Sequence, residues 1–209
     1  MERAHTIEEL LKGKQLLIFD FDGTVADTTP LHEAAFEQVL SPLGIAVHYP
    51  SIAGMKTEDA IVHSAHSCGR VLSPNKLAAL VKAKQATVRE MIASRLEPLQ
   101  GVDGFLNWAR KHYRLSMATS GSRGTVSLAL EKLGYVNWFS PLVCADDVER
   151  AKPHPDLFLK VLELTHVDCG DALVFEDSEA GFAAAHNAGI DFLDARIIDW
   201  AAVIRNGLF

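Results

Sequence analysis

Short apolar runs that end in polar or acidic residues recur along this chain, and helical patterns follow them. The runs are Leu16–Phe19, Leu115–Ala118, Leu142–Ala145, Ala172–Phe175 and the less apolar Ile190–Leu193. Continuous apolar runs of this length are typical of strands that are buried on both faces of a parallel sheet. A glycine closes two of the helical patterns, Arg123–Leu133 and Ser178–Ala188, as is common at helix C-termini. The pattern predicts an α/β fold with a doubly wound parallel sheet.

Residues 31–97 show a different pattern from the rest of the chain. The stretches "HEAAFEQVLSPLG" and "NKLAALVKAKQATVREMIASRL" have helical patterns, and the segment has no strand signal of comparable strength. The stretch "EPLQGVDG" that follows contains the proline and glycines expected at a domain boundary. The sequence therefore predicts an all-helical cap domain at residues 31–97, inserted into a core formed by residues 1–30 and 98–209.

Composition and charge limit the partners that this chain would bind. It has 209 residues and a formal net charge of −7, which argues against a nucleic acid or an anionic membrane as its main partner. Its three cysteines show no CxxC spacing and predict reduced thiols in a cytoplasmic protein. The N-terminal segment lacks the apolar region of a signal peptide and predicts a short helix, with Thr6 and Glu9 at capping-box spacing. No feature demands more than a monomer.

Polar side chains follow four of the predicted strands. They are Asp20 and Asp22 after the first run, Thr119 and Ser120 after the second, Lys152 beyond the third, and Glu176 and Asp177 after the fourth. In open α/β sheets, ligands bind outside the carboxyl ends of the strands. We therefore expect these side chains to converge at one edge of the sheet and to bind a ligand there.

Three of these carboxylates suit one metal site. Asp20, Glu176 and Asp177 can supply hard oxygen ligands to Mg²⁺, with a backbone carbonyl and waters completing the octahedron. Carboxylates this close repel one another, and burying them is costly unless a cation or hydrogen bonds compensate. The sequence therefore predicts Mg²⁺ as the cofactor, and the ion would also shield an incoming phosphate from the carboxylates.

The spacing of Asp20 and Asp22 suits a two-step phosphoryl transfer. Phe21 lies between them and points the opposite way in extended backbone, so both carboxylates can face the same side. Asp20 can attack phosphorus to form an aspartyl-phosphate, while Asp22 protonates the leaving oxygen and later deprotonates water. Thr119 can hold phosphoryl oxygens, and Lys152 can offset charge on the nucleophile and the phosphoryl group.

The motifs "DFDGT", "ATS", the lysine of "AKPHPD" and "FEDSEAG" occur in this order and together resemble those of haloacid dehalogenase superfamily hydrolases. The resemblance implies a Rossmann-like core with a helical cap, and a role for each matching residue. These are Asp20 as nucleophile, Asp22 as acid/base, Thr119 and Lys152 as phosphoryl-binding groups, and Asp20, Glu176, Asp177 and the backbone carbonyl of Asp22 as metal ligands. Members that cleave carbon–halogen or phosphonate bonds lack an aspartate at the position of Asp22, so the resemblance implies phosphate-ester chemistry.

Within this superfamily, "DTTPLH" and the cap are most similar to beta-phosphoglucomutase and its sugar-phosphatase relatives. The similarity implies that Thr28 lies at a hinge and that His32 couples cap closure to proton transfer. It also implies that Lys84 is a cap lysine facing the active site. We count these three residues as substrate-binding, together with Ser120 beside Thr119.

Two departures separate a phosphatase from a mutase. Thr57 stands where the mutase has an arginine that grips the phosphate that is not transferred, and Ala53 replaces a cap lysine. A mutase must hold a bisphosphate at both ends, so the loss of a bidentate clamp is a large change. We therefore predict a phosphatase acting on a small sugar or sugar-acid phosphate, similar to bacterial fructose-1-phosphate or 6-phosphogluconate phosphatases. The alternatives are a hexose-phosphate mutase and a non-catalytic phosphometabolite-binding protein.

Several of these residues also have purely structural explanations. Asp-Gly is common in turns, an acidic pair is favoured before a helix N-terminus, and Thr119 with Ser120 could cap a helix. Lys84 lies in a lysine-rich helix where exposed charge is usual, and a histidine near a helix start, such as His32, often has no special role. The sequence leaves open whether three further residues contact substrate: Lys56, Ser122 and Arg123.

Overall fold

The computed structural model describes residues 7–205, and its centre is one five-stranded parallel sheet. The strands are β1 (Leu16–Phe19), β2 (Arg114–Ala118), β3 (Leu142–Val143), β4 (Ala172–Glu176) and β5 (Asp191–Asp194). Their order across the sheet is β3-β2-β1-β4-β5, and every pairing is parallel. Strand β1 therefore lies in the middle, and the chain winds outward from it in both directions.

Helices cover both faces of the sheet. They are α1 (Ile7–Leu11), α2 (Thr29–Leu40), α3 (Thr57–Ser67), α4 (Pro74–Arg95), α5 (Val102–His112), α6 (Arg123–Leu133), α7 (Asp156–Thr165), α8 (Glu179–Asn187) and α9 (Trp200–Arg205). Side chains of β1 alternate between two apolar clusters, because successive residues of a strand point to opposite faces. Leu17 and Phe19 join a cluster with α5 and α6, whereas Leu16 and Ile18 join one with α7 and α8. This arrangement confirms the doubly wound α/β prediction.

The helical segment between β1 and α5 has an apolar cluster of its own. Phe36 and Leu40 of α2, Ile61 of α3 and Leu80 of α4 belong to that cluster. The C-terminal half of α4 instead packs into the core of the sheet, where Ile92 is fully buried. The division of the chain into a cap domain (residues 31–97) and a core domain (residues 1–30 and 98–209) remains a proposal.

Four of the five strand predictions differ from the structure at their ends, and one helix matches its prediction. Strand β2 begins one residue before the run Leu115–Ala118, and strand β4 ends one residue after the run Ala172–Phe175. The run Leu142–Ala145 forms a strand only at Leu142–Val143, because the Asp147 carboxylate accepts a hydrogen bond from the Cys144 backbone N–H at 2.7 Å and a 3₁₀ turn follows. Strand β5 begins and ends one residue later than the run Ile190–Leu193. Helix α6 has the predicted bounds. The capping-box prediction involves Thr6, which lies outside the described residues.

The described residues also bear on cysteine pairing and on membrane-spanning helices. The three cysteines are unpaired in the described structure. Over residues 7–205, no helix combines the length and the apolar character that crossing a bilayer requires.

Candidate active site

The end of the central strand β1 positions the first two carboxylates. The backbone N–H of Asp20 continues the ladder to β4 by donating to the carbonyl of Phe175 at 2.9 Å. Phe21 is buried in the core on the other side of the chain, and Asp20 and Asp22 both line one cavity. Both carboxylates therefore face the same space, and the chain bends at Phe21 rather than continuing as an extended strand.

Lys152 is buried between two carboxylates. Its Nζ lies 2.5 Å from Oδ1 of Asp20 and 2.5 Å from Oε1 of Glu176, and only 1% of the residue is exposed. Burial favours the neutral amine, but the charges of Asp20 and Glu176 and their hydrogen bonds outweigh it, so the pKa of Lys152 lies above its ordinary value. The lysine is therefore a fixed cation in direct contact with the Asp20 carboxylate.

Glu176 is held rigidly by the start of helix α8. Its Oε2 accepts hydrogen bonds from the backbone N–H of Asp177 at 2.7 Å and from that of Ser178 at 2.8 Å. The Ser178 hydroxyl donates to the same oxygen at 3.0 Å and accepts from the N–H of Gly181 at 3.0 Å. This network holds the glutamate carboxylate in place, and the "EDSEAG" stretch is the sequence signal that indicates it.

Gly181 has no room for a side chain. A Cβ at this position would lie 1.9 Å from Cδ of Glu176. We expect Gly181→Ala to displace the Glu176 carboxylate or the first turn of α8, at a cost of about 1–3 kcal/mol in the free energy of unfolding, with a loss of activity. Gly170→Ala is the matched control, because no atom lies within 4 Å of a Cβ there. Thermal unfolding of both variants checks this, and equal stability would contradict it.

Three carboxylates form a cluster that suits a hard cation. Asp20, Glu176 and Asp177 each offer an oxygen, and these atoms lie within 4.8 Å of one another. Burial, with the neighbouring charge of Glu176, raises the pKa of Asp177 to about 7. Burial, opposed by Lys152 and reinforced by Glu176 and Asp177, holds the pKa of Asp20 well above its ordinary value. The donor set is all oxygen and crowded with negative charge, which fits Mg²⁺.

Gly23 allows the loop after Asp22 to approach this cluster. Its φ is +82°, in the left-handed region, and a Cβ there would lie 2.1 Å from Oδ2 of Asp177. Two features of the structure therefore favour glycine at this position of the "DFDGT" motif: the left-handed backbone conformation and the close approach of the acidic side chain.

The carboxylate of Asp22 is held from the side of helix α2. The Thr28 hydroxyl donates to its Oδ1 at 2.6 Å, and Nε2 of His32 lies 3.3 Å from the same oxygen without the alignment of a regular hydrogen bond. Nδ1 of His32 lies 2.8 Å from Nζ of Lys84. Because an ammonium group can only donate, Nδ1 accepts, and a neutral imidazole then carries its proton on Nε2, toward Asp22.

Burial sets the charge of the His32–Lys84 pair. It lowers the pKa of His32 to about 4, against the opposing charge of Asp22, so the imidazole is neutral at neutral pH. It lowers the pKa of Lys84 to about 8, which leaves the ammonium form predominant there. Lys84 is only 2% exposed, so the structural explanation of an exposed helix lysine does not apply.

These groups surround a cavity of about 190 Å³, which has room for on the order of a dozen water molecules. Predicted residues in its wall are Asp20, Asp22, His32, Lys84, Thr119, Ser120 and Asp177, and the two positions Ala53 and Thr57 also line it. Thr119 accepts a hydrogen bond from the N–H of Gly121 at 3.0 Å, while the buried Ser120 hydroxyl has no partner among the described residues. A small anionic ester would therefore meet carboxylates, hydroxyls and one ammonium group.

Other sequence candidates lie outside this wall. Thr28 lies behind Asp22 and is fully buried, so it contacts the carboxylate rather than the cavity. The Arg123 guanidinium binds the Asp147 carboxylate and donates to the Leu142 carbonyl at 3.0 Å. The Ser122 hydroxyl bonds with that of Thr125 at 2.9 Å, and Lys56 is the residue before α3. None of these four residues is part of the cavity wall. Lys152 and Glu176 are not part of it either, and Lys152 reaches the site through its contact with Asp20.

Sequence reasoning missed several residues of the wall. Phe36, Tyr49, Ile52 and Met55 line the cavity from the helical segment. Nothing in the sequence distinguishes them from ordinary core residues, because their exposure to the cavity depends on how α2, α4 and the connecting turns pack. Ser178 also lines the cavity and was missed, although its place after "ED" in the fourth motif was a usable signal.

The chain is similar in sequence to named phosphatases and in fold to a beta-phosphoglucomutase. The chain is 34% identical over 190 residues to fructose-1-phosphate phosphatase YqaB of Escherichia coli, covering 87% of this chain and 96% of that protein. It is 28% identical over 181 residues to a phosphorylated carbohydrates phosphatase of Thermotoga maritima, covering 85% and 82%. The crystal structure of beta-phosphoglucomutase from Clostridium difficile superposes with a TM-score of 0.79 at 18% identity, covering 93% and 97%, which shows the same fold.

The four motifs identified above lie within the segment of the chain that is common to a whole protein family. A sequence profile described as haloacid dehalogenase-like hydrolase matches residues 17–195. That segment runs from strand β1 to the turn after β5, so it contains the whole sheet and the inserted helices apart from the first residue of β1. The chain belongs to the haloacid dehalogenase-like hydrolase family.

Proposed function

We propose that this protein is a Mg²⁺-dependent phosphatase that hydrolyses the phosphate monoester of a small sugar through an aspartyl-phosphate on Asp20. The observation that carries the proposal is the contact of Lys152 with both Asp20 and Glu176 just outside the wall of a cavity that Asp20 and Asp22 line. Relatives named as phosphatases of fructose 1-phosphate and of phosphorylated carbohydrates support the substrate class.

In the first step, a carboxylate oxygen of Asp20 attacks phosphorus. An Asp20–phosphorus bond forms, the ester oxygen leaves, and Asp22 gives it a proton. Lys152 orients the nucleophile and balances its charge, because its ammonium group is bound to Oδ1 of Asp20. Thr119 and Ser120 present hydroxyls from the neighbouring strand end to the phosphoryl oxygens.

In the second step, water attacks the phosphorus of the aspartyl-phosphate. Asp22, now a carboxylate, takes a proton from this water, and the Asp20–phosphorus bond breaks to release inorganic phosphate. Thr28 and His32 hold Asp22 in place for both proton transfers, since both lie against its Oδ1. We therefore assign Thr28 a positioning role rather than contact with substrate.

Asp20, Glu176, Asp177 and the backbone carbonyl of Asp22 would hold the Mg²⁺ ion. When bound there, the ion supplies positive charge that lets an anionic ester approach several carboxylates. Glu176 already accepts hydrogen bonds on both of its oxygens, so it is the most constrained ligand of the set.

Removal of the metal tests this assignment. We expect phosphate release from a chromogenic phosphate ester to stop in excess chelator and to return with Mg²⁺. Mg²⁺ at about 100 times its dissociation constant should add about 2.7 kcal/mol to the free energy of unfolding, and Asp177→Asn should reduce that gain. The exposed Asp168→Asn is the control. Full activity in chelator would contradict the metal role, and the absence of any turnover with Mg²⁺ would favour the non-catalytic alternative.

The cavity favours hydrolysis over isomerisation. Ala53 and Thr57 line it, and among the described residues no arginine does. A mutase would need a strong grip on a second phosphate, and a guanidinium group provides that grip best. A screen of phosphorylated metabolites that reads phosphate release and isomer formation together separates the two functions. Isomerised product without released phosphate would establish the mutase.

We also propose the partner, the cellular location and the oligomeric state of the enzyme. Its partner is a small phosphorylated metabolite rather than a nucleic acid or a membrane, in keeping with the negative net charge. Reduced cysteines favour the cytoplasm, and a monomer suffices because every proposed site residue comes from one chain.

A further inference from the structure

The wall of the cavity on the side of the helical segment is largely apolar and aromatic. Phe36 of α2 and Tyr49 lie with their ring centroids 6.3 Å apart, and Ile52 and Met55 extend the same wall. Tyr49 is 9% exposed and Phe36 is 4% exposed, so both rings are held by packing. The proposed chemistry assigns no role to these four residues, although Lys84, which contacts both the Phe36 ring and His32, lies beside them.

The hydroxyl of Tyr49 is a hydrogen-bond donor with no protein partner among residues 7–205. Burial, and after it the charges of Asp22 and Asp177, holds the pKa of Tyr49 well above its ordinary value. The phenol is therefore protonated at any working pH and can donate. The hydroxyl of a tyrosine that lines a cavity can find its hydrogen-bond partner in a ligand.

The same wall offers little to a second anion. Lys84 is the one lysine or arginine in the described cavity wall, and its Nζ is already 2.8 Å from Nδ1 of His32 and 4.3 Å from the centroid of the Phe36 ring. His32 is neutral because its pKa is lowered to about 4. A second phosphate or a carboxylate would therefore meet aromatic rings and one ammonium group that already has two partners, close to a cluster of carboxylates.

We propose that Tyr49 and Phe36 are specificity residues for the part of the substrate that is not transferred, and that this part is an uncharged polyhydroxylated group. The Tyr49 hydroxyl donates a hydrogen bond to a substrate oxygen, and the Phe36 ring packs against a C–H face. The inference rests on the proposed phosphatase function and narrows its substrates to neutral sugar or polyol monophosphates. Bisphosphates and phosphorylated sugar acids are disfavoured.

The test compares esters that differ in their remote end. A panel of neutral hexose and polyol monophosphates, led by fructose 1-phosphate, is assayed with the matching bisphosphates, with 6-phosphogluconate and with p-nitrophenyl phosphate. We expect kcat/KM for the best neutral monophosphate to exceed that for its bisphosphate and for 6-phosphogluconate by about tenfold or more.

The Tyr49→Phe variant keeps the ring and removes only the hydroxyl. We expect it to lower kcat/KM for the neutral monophosphates about 5- to 10-fold, mainly through KM, because one neutral hydrogen bond is lost. Hydrolysis of p-nitrophenyl phosphate, whose remote nitro group is only a weak hydrogen-bond acceptor, should change less than about twofold. Tyr113→Phe, a tyrosine outside the cavity, is the matched control and should leave both esters unchanged.

The outcomes separate this inference from the function on which it rests. Equal losses for sugar and aryl esters, no loss for either, or a preference for the bisphosphate or the sugar acid would overturn the role of the aromatic wall. Hydrolysis of p-nitrophenyl phosphate without hydrolysis of any neutral monophosphate would overturn it as well. Failure to hydrolyse any ester in the presence of Mg²⁺ would instead remove the phosphatase proposal itself.

Discussion

Asp20→Asn is expected to lower kcat by about 10⁴-fold or more while the protein stays folded, because the amide cannot act as the nucleophile. The substitution keeps the shape of the side chain, and an amide oxygen can still accept a hydrogen bond from Lys152, which lies 2.5 Å from Oδ1. Steady-state phosphate release, with circular dichroism as the check on folding, measures the effect.

The control for this variant lies on the same loop. Asp27→Asn changes an exposed carboxyl group outside the cavity wall, so its activity should equal that of the wild type. Turnover of Asp20→Asn within about tenfold of the Asp27→Asn rate would overturn the nucleophile assignment.

Asp22→Asn is expected to lower kcat by about 10²- to 10⁴-fold, the range of general acid–base catalysis, because both proton transfers use this carboxyl group. The effect should depend on the leaving group. An alkoxide needs the proton that Asp22 gives, whereas p-nitrophenolate leaves without it, so kcat/KM should fall more for a sugar phosphate than for the aryl ester.

Thr28→Val offers a comparison that leaves Asp22 itself intact. It removes the hydroxyl that donates to Oδ1 at 2.6 Å, and we expect a smaller loss with the same leaving-group trend. An equal loss of kcat/KM for sugar and aryl esters in Asp22→Asn would contradict the acid role, and undiminished turnover would remove Asp22 from the mechanism.

The sheet and the residues at its edge could be predicted because short stretches of the sequence determine them. Leu16–Phe19 reads as a doubly buried strand since each of its residues is apolar, and in the structure none of them is exposed. The convergence of Asp20, Lys152 and Glu176 follows from parallel topology, which brings the strand ends to one edge. The turn glycine after Asp22 likewise belongs to the motif itself.

The contacts across the cavity could not be predicted, since they depend on packing between distant segments. Tyr49 lies in a single 3₁₀ turn, and its place in the same cavity wall as Asp20 depends on how that turn packs against the rest of the chain. Arg123 could have reached a phosphate, but the Asp147 carboxylate binds it instead. The run Leu142–Ala145 predicts a longer strand than the one that forms, because apolar sequence alone does not show where a side-chain hydrogen bond ends the ladder.

The mass of the protein during turnover tests the central proposal, a covalent intermediate on Asp20, most directly. Wild-type protein is mixed with substrate and Mg²⁺, quenched in acid within one turnover, and digested for peptide mass spectrometry. We predict that the peptide containing Asp20 gains the mass of one phosphoryl group, that hydroxylamine removes it, and that Asp20→Asn never acquires it. Rapid phosphate release from the wild type with no phosphorylated peptide at any time would contradict covalent catalysis by Asp20.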